Sequence, residues 1–334
     1  MTRLLIRLII LSAIVWCAWW ALASYGVSRG VMAWVEARRA EGWQVEAQTS
    51  QGGFPLNIRT HVSVLRLVNP ENNAVFSAQG GSLRARTYWP GHLYLDLPDT
   101  PILFDGPVGE LAFAASNGGA KLRLHPGTAL ELGSIEIFSD NWEVRLNDVP
   151  LFQGDALVLD AAQDSDRAAT YEITINADNL TPGALLRQIL SLPADWPAAF
   201  ERFAATASVM FDAPLSRTSL DCSPPQFRQI TLDTTKIIWG EIALSAVGSV
   251  EIDATGLPSG EVIMQAKDWR RLLDLAQDAG ALPALQRGQA ELLLGLLAQR
   301  LGEPENLDLA LTFAAGQMTL SGIPLGPAPR LVLE

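Results

Sequence analysis

Cysteine is nearly absent from the 334-residue chain: Cys17 and Cys222 make no disulfide framework, and neither stands in a metal-ligand spacing. Histidine is scarce too. His61, His92 and His125 lie far apart, and no His-x-x-x-His, Cys-x-x-Cys or His-Glu-x-x-His occurs, so nothing in the spacing points to zinc. The Gly-x-Ser-x-Gly elbow of the common hydrolases, the Gly-x-Gly-x-x-Gly loop and the Walker lysine are all missing. Asp160, Asp164 and Asp166 cluster in LDAAQDSD without the glycine and terminal glutamate of a calcium loop, which reads as a solvated hairpin turn. Charged residues make up only 18% and sum to −12, a balance that argues against a nucleic-acid partner; 49% hydrophobic content argues against disorder. No catalytic residue, metal or cofactor is expected, and the reading is non-enzymatic, with an exported hydrolase of unrecognised site ranked last.

What is present begins at the N-terminus. Arg3 and Arg7 precede a stretch without charge from Leu8 to Ser28, which would span about 31 Å as a helix and so match a hydrocarbon core. Leu8, Ile9, Leu11, Ile14 and Val15 are its apolar half, and Trp16, Trp19 and Trp20 lead toward the far interface, where amphipathic rings gather. A short basic tail before a span predicts a cytoplasmic N-terminus and an exported body, although Arg29, Arg38 and Arg39 follow the span. The alternative is a cleaved signal peptide, because Ala21-Leu22-Ala23 before Ser24 satisfies the small-x-small pattern. Against cleavage, the helical pattern continues through Val27, Val31, Trp34 and Val35 until Gly42. The expected division is a tail and anchor over 1–28, a helical extension over 29–42, and a periplasmic β-rich body over 43–334 with a subdivision near 206–226.

The body alternates apolar and polar residues. Leu93, Leu95 and Leu97 do so in HLYLDLP, as do Trp142, Val144 and Leu146 in NWEVRLNDV, then Tyr171, Ile173 and Ile175. A period of two with a polar opposite face marks half-buried antiparallel strands. Between about 53 and 178 no helical pattern intervenes, which excludes βαβ nucleotide-binding folds. Helices are expected from Thr181-Pro182 to about Leu192, over Trp196 to Ala205, from Asp268 to Asp278, and from about Pro283 to Leu301. The strand-to-helix junctions at Ile173–Leu180 and Val262–Trp269 look alike and suggest two sheet-plus-helix units. The fold class is mainly β with α insertions: one N-terminal transmembrane helix, then a curved antiparallel sheet.

Several segments together resemble the domain-of-unknown-function family 2125. They are the N-terminal span, Gly42-Trp43, Gly52-Gly53-Phe54-Pro55, the strand pair around Ile242 to Ile252, Thr255-Gly256-Leu257-Pro258-Ser259-Gly260, Asp268-Trp269 and the closing GIPLGPAP. The same order is similar to the broader AsmA-like and YdgA-like envelope proteins. The resemblance implies a bacterial inner-membrane protein with a periplasmic body, in a group with links to envelope lipid traffic, and it carries no catalytic residues.

A sheet whose apolar residues fall on one face needs a second layer, a helix or a ligand over it. The expected partners are therefore the lipid bilayer and a phospholipid or other acyl-chain ligand. Leu93, Leu95, Leu97, Trp142, Val144, Leu146, Ile173 and Ile175 are the candidate groove lining. A sandwich whose two sheets cover one another is the alternative, and it would suit a structural or partner-binding envelope protein.

Overall fold

A computed structural model describes residues 2–70, 72–107, 109–127, 129–189, 196–217, 224–278, 282–301 and 306–333. It opens with one unbroken 39-residue helix, α1 (Thr2–Ala40). The helix ends where Trp43 N–H bonds Arg38 O and Gly42 N–H bonds Arg39 O, with Gly42 at φ 89°. This left-handed terminus satisfies the last carbonyls and is open to glycine without a steric cost. Arg39 reaches on to the carbonyl of Val45 at 2.7 Å, fixing the turn into the sheet.

The described strands form one 18-stranded antiparallel sheet. They are β1 (Gln44–Gly52), β2 (Asn57–Val68), β3 (Val75–Gln79), β4 (Ser82–Arg86), β5 (Trp89–Asp96), β6 (Ile102–Gly106), β7 (Gly109–Ser116), β8 (Gly119–Leu124) and β9 (Leu132–Leu146). After them come β10 (Val149–Gln163), β11 (Thr170–Pro182), β12 (Phe200–Phe211), β13 (Phe227–Trp239), β14 (Ile242–Ile252), β15 (Pro258–Lys267), β16 (Asn306–Ala314), β17 (Gln317–Leu320) and β18 (Ile323–Pro327). β3 and β4 lie in one continuous register along β2, interrupted at Gly80-Gly81, and β7 and β8 do the same along β9. From β9 onward each strand pairs with the next. The pairing therefore runs as a meander, with β12 paired directly to β13.

Helices interrupt the meander twice, as expected. α2 (Ala184–Ile189) stands between β11 and β12, and α3 (Trp269–Asp278) with α4 (Ala284–Leu301) stands between β15 and β16. Both insertions leave from the same end of the sheet. There Trp196 packs on Trp239 with ring centroids 4.8 Å apart, beside Ile242 and with Leu272 and Leu275 of α3 against them. Trp269, 1% exposed, seals a second cluster with Ala266 and Leu307. Asp274 and Glu291 hold Arg287, which ties α3 to α4.

One helix expectation is overturned. Residues 196–205, read as helix, are not helical: 196–199 form a bend and 200–205 are the start of β12, while residues 190–195 lie outside the described part. The segment FERFAATASVMF is rich in good helix formers, but it is registered on both sides, Ala205 opposite Ile175 and Thr235, and Ala207 opposite Ile173 and Leu232. Two strand neighbours outweigh local propensity.

The accessible surface is 20023 Å². A compact protein of this mass would expose about 13,400 Å². A bare helix and strands without a second layer both raise the total.

Candidate functional site

The register sorts the sheet into faces, since residues directly opposite one another share a face. One row is apolar at every rung. It runs from Ile58 through Ala85, Leu93, Leu122, Ile135 and Ala161 to Ile173. It continues through Ala207, Leu232, Gly248, Val262 and Leu311 to Leu320. Beside it runs Leu83–Leu95–Ala120–Ile137–Leu159–Ile175. The opposite face carries Arg84, Tyr94, Lys121, Glu136, Asp160, Thr174 and Thr206 along one row.

Little covers the apolar band in its middle. Among the described residues, no apolar side chain between Ala85, 2% exposed, and Ala161, 9% exposed, is buried, although β5 to β10 fill that interval. Leu95 is 42% exposed. The flanks differ. Ile58 and Ala85 are buried near the helix, while Tyr171, Val209 and Phe211 form a closed cluster with Leu132, Leu215, Ile230 and Leu333 around them. There the Tyr171 hydroxyl donates to Leu132 O at 3.2 Å and accepts from Leu215 N–H at 3.1 Å. Burial pushes that phenol above its ordinary range.

The expected groove residues divide between the faces. Leu93, Leu95, Ile173 and Ile175 lie on the band, and Leu97 follows in the same alternation. Trp142, Val144 and Leu146 have the opposite parity to Ile135 and Ile137 in β9 and so face the other way. They belong to a second apolar group at the far end, where Leu111 stands opposite both Leu146 and Phe104, and Phe113 opposite Val144. The apolar set thus changes face part-way along β9, which alternation read one segment at a time does not reveal.

The anchor residues Leu8, Ile9, Leu11, Ile14 and Val15 are all exposed on α1. From Ile6 onward this helix is long and apolar enough to cross a membrane, with mean hydropathy 2.0. The three tryptophans do something sequence reasoning missed. Trp16 Nε1 donates to Pro55 O at 3.0 Å, Trp19 Nε1 to Thr87 O at 2.8 Å, and Trp20 Nε1 to Asn57 O at 2.8 Å. Trp20 also meets Phe54 edge to face at 5.3 Å. The tight turn that presents the Pro55 and Asn57 carbonyls needs Gly53: at φ 96°, a β-carbon there would lie 2.6 Å from Asn57 O.

A basic cleft adjoins this contact on the polar face. Arg86, His92 and Arg123 approach His125, Tyr88 and Tyr94 around about 650 Å³, with no carboxylate in the lining. His92 and His125, far apart in sequence, line one cleft because β5 pairs with β8, which sets His92 opposite Arg123. Next to the cleft, hydrogen bonds from Arg84 hold the Asp96 carboxyl below the usual carboxylate range, against its partial burial and with help from Ser82.

The other flagged residues have ordinary roles. Asp164 accepts from the N–H groups of Asp166 and Arg167 and pairs with the Arg167 guanidinium at 2.8 Å, closing its turn. Trp239 is buried in the helix-capped cluster. Cys17 is exposed, and Cys222 lies outside the described residues. Among the described residues, no group of three or more His, Cys, Asp or Glu side chains converges to hold a metal.

The sequence profile of DUF2125, described as an uncharacterized protein conserved in bacteria, matches residues 20–329. The chain belongs to that family. The match covers the helix from Trp20, the whole sheet and both helical insertions. No curated protein matches the chain.

Proposed function

We propose that this DUF2125 protein is a non-enzymatic envelope protein, held in the bacterial inner membrane by α1 with its body in the periplasm, that binds or transfers acyl lipids on the band. The observation that carries this reading is the middle of the band: Leu93, Leu95, Leu122, Ile135 and Ile137 share one face, part-exposed or exposed, and among the described residues no apolar side chain between Ala85 and Ala161 is buried. Open apolar surface on this scale marks an interaction site. Ala85 to Ile173 crosses six paired strands, or about 24 Å at the usual interstrand spacing. An acyl chain laid across them gains roughly 0.8 kcal/mol per buried methylene before ordering costs.

The band also begins beside the anchor, since Ile58 follows Asn57, whose carbonyl holds Trp20. Signal cleavage before Ser24 would discard Trp16, Trp19 and Trp20 with their three hydrogen bonds. Ser24 itself is 7% exposed within the helix, which favours a retained anchor.

The test is lipid extraction and mass spectrometry on the purified full chain. Wild type should carry acyl lipid that Leu95→Asp with Ile173→Asp loses and that Thr174→Asp, on the opposite face, retains. A wild-type protein with no more lipid than the band variant would replace this reading with a partner-binding scaffold.

A further inference from the structure

We infer that the end of the body beside Trp16–Trp20 is itself seated in the membrane, with Phe54 and Leu56 at the boundary of chains and headgroups and the Arg86–Arg123 cleft on phosphates of anionic phospholipids. This rests on α1 being a membrane anchor and adds a second lipid contact, on the face opposite the apolar band.

The position follows from register along the helix. The uncharged span Leu8–Ser28 has Trp16, Trp19 and Trp20 in its middle, and these three side chains hold the β1–β2 tip and the β4–β5 turn through Pro55, Asn57 and Thr87. If Ser28 marks the exit from hydrocarbon, the tryptophans that hold the tip lie about 12 to 18 Å below that level at 1.5 Å per residue. If the tryptophans mark the interface, the tip lies at it. In both cases the tip is not in bulk water. An indole N–H within a bilayer finds no water to bond, and the three carbonyls supply its partner.

The exposed side chains fit that place. Phe54 is 55% exposed, Leu56 65% and Tyr88 58%, all within a few residues of the bonded carbonyls. Immediately behind them the cleft gathers two arginines, two histidines and two tyrosines without a carboxylate, in a chain with 36 acidic and 24 basic residues. The Arg86 guanidinium bonds the Tyr88 hydroxyl and lies 6.0 Å from the Tyr94 ring centre. A guanidinium flanked by aromatic rings at a membrane surface suits phosphodiesters, and both arginines are attracted to an anionic leaflet. The overall negative charge opposes nonspecific adsorption, so the attraction is confined to this end.

The test uses the full chain with Cys17→Ser and Cys222→Ser, and an environment-sensitive fluorophore on single cysteines placed at Leu11, Phe54, Leu56 or Asp148. Asp148 is the control, at the opposite end of the strands and with its side chain 90% exposed. In vesicles of phosphatidylcholine and phosphatidylglycerol, labels at 11, 54 and 56 should be quenched by chain-brominated lipid and shielded from iodide, and the label at 148 the reverse. Omitting phosphatidylglycerol, or introducing Arg86→Glu with Arg123→Glu, should reduce lipid quenching at 56 and leave 11 unchanged. If 54 and 56 behave like 148 while 11 is lipid-quenched, the seating is wrong and the anchor stands. If 11 is also open to iodide, the anchor fails and the seating with it. Indifference of position 56 to both phosphatidylglycerol and the arginine changes overturns the headgroup contact.

Discussion

Along β11 to β16 the apolar alternation ends in sealed side chains: Tyr171 beneath the segment around Leu215, and Ile242 and Trp269 beside the helices, are each 1% exposed, and Leu307 is 2% exposed. From β5 to β10 the same alternation leaves Leu95 at 42% and, among the described residues, no buried apolar side chain before Ala161. The strand pattern is alike in both regions, so strand formation does not decide what is buried. The difference lies in what the chain folds back over the sheet. α2, α3 and α4 cap one part, and the segment around Leu215 with the tail at Leu333 covers another. Over β5 to β10 no connection is long enough to carry such a cover. Backbone hydrogen bonding holds this region together, and its apolar side chains stay part-exposed.

The largest contrast should appear in stability. Trp269→Ala empties a sealed site and should cost about 3–5 kcal/mol, whereas Leu95→Ala, already exposed, should cost less than about 1 kcal/mol. Denaturant unfolding of the full chain in detergent measures both. Equal losses would mean that β5 to β10 is covered as fully as the helix-capped region.

A smaller effect comes from Arg84 and Asp96 on the polar side of β4 and β5. Because the folded carboxyl titrates below its unfolded value, it adds stability that is complete above the unfolded carboxylate range, near pH 4, and is lost as pH falls through the lower folded value. Both side chains are more than a third exposed, so solvent screening should keep the contribution within about 1 kcal/mol. Asp96→Asn should flatten the acid limb of the stability–pH curve slightly and leave lipid content unchanged. An unchanged acid limb would mean that the pair adds nothing to the open region.

Much of this contrast was legible in the sequence, and the rest was not for physical reasons. Leu93–Leu95 and Ile173–Ile175 announced strands because period two is a local property. The helix over residues 200–205 was misjudged because the partners of Ala205, Ile175 and Thr235, come from separate strands. Trp142, Val144 and Leu146 read as companions of Leu93, yet face depends on parity carried across several pairings. The tryptophan contacts to Pro55, Asn57 and Thr87 bridge 37 to 68 positions, and no periodicity encodes such a distance. Trp16, Trp19 and Trp20 stand out in the sequence, but their partners Pro55, Thr87 and Asn57 do not.

Photocrosslinking addresses the open band most directly. A photoreactive side chain at Leu93 or Leu122, on the band, and at Tyr94 or Lys121, on the face behind it, would be activated in the full chain in its native membrane, followed by mass spectrometry of the adducts. Lipid adducts at 93 and 122, with few at 94 and 121, are the expected result. Protein adducts or none at 93 and 122, or lipid equally at all four positions, would contradict an acyl-binding band.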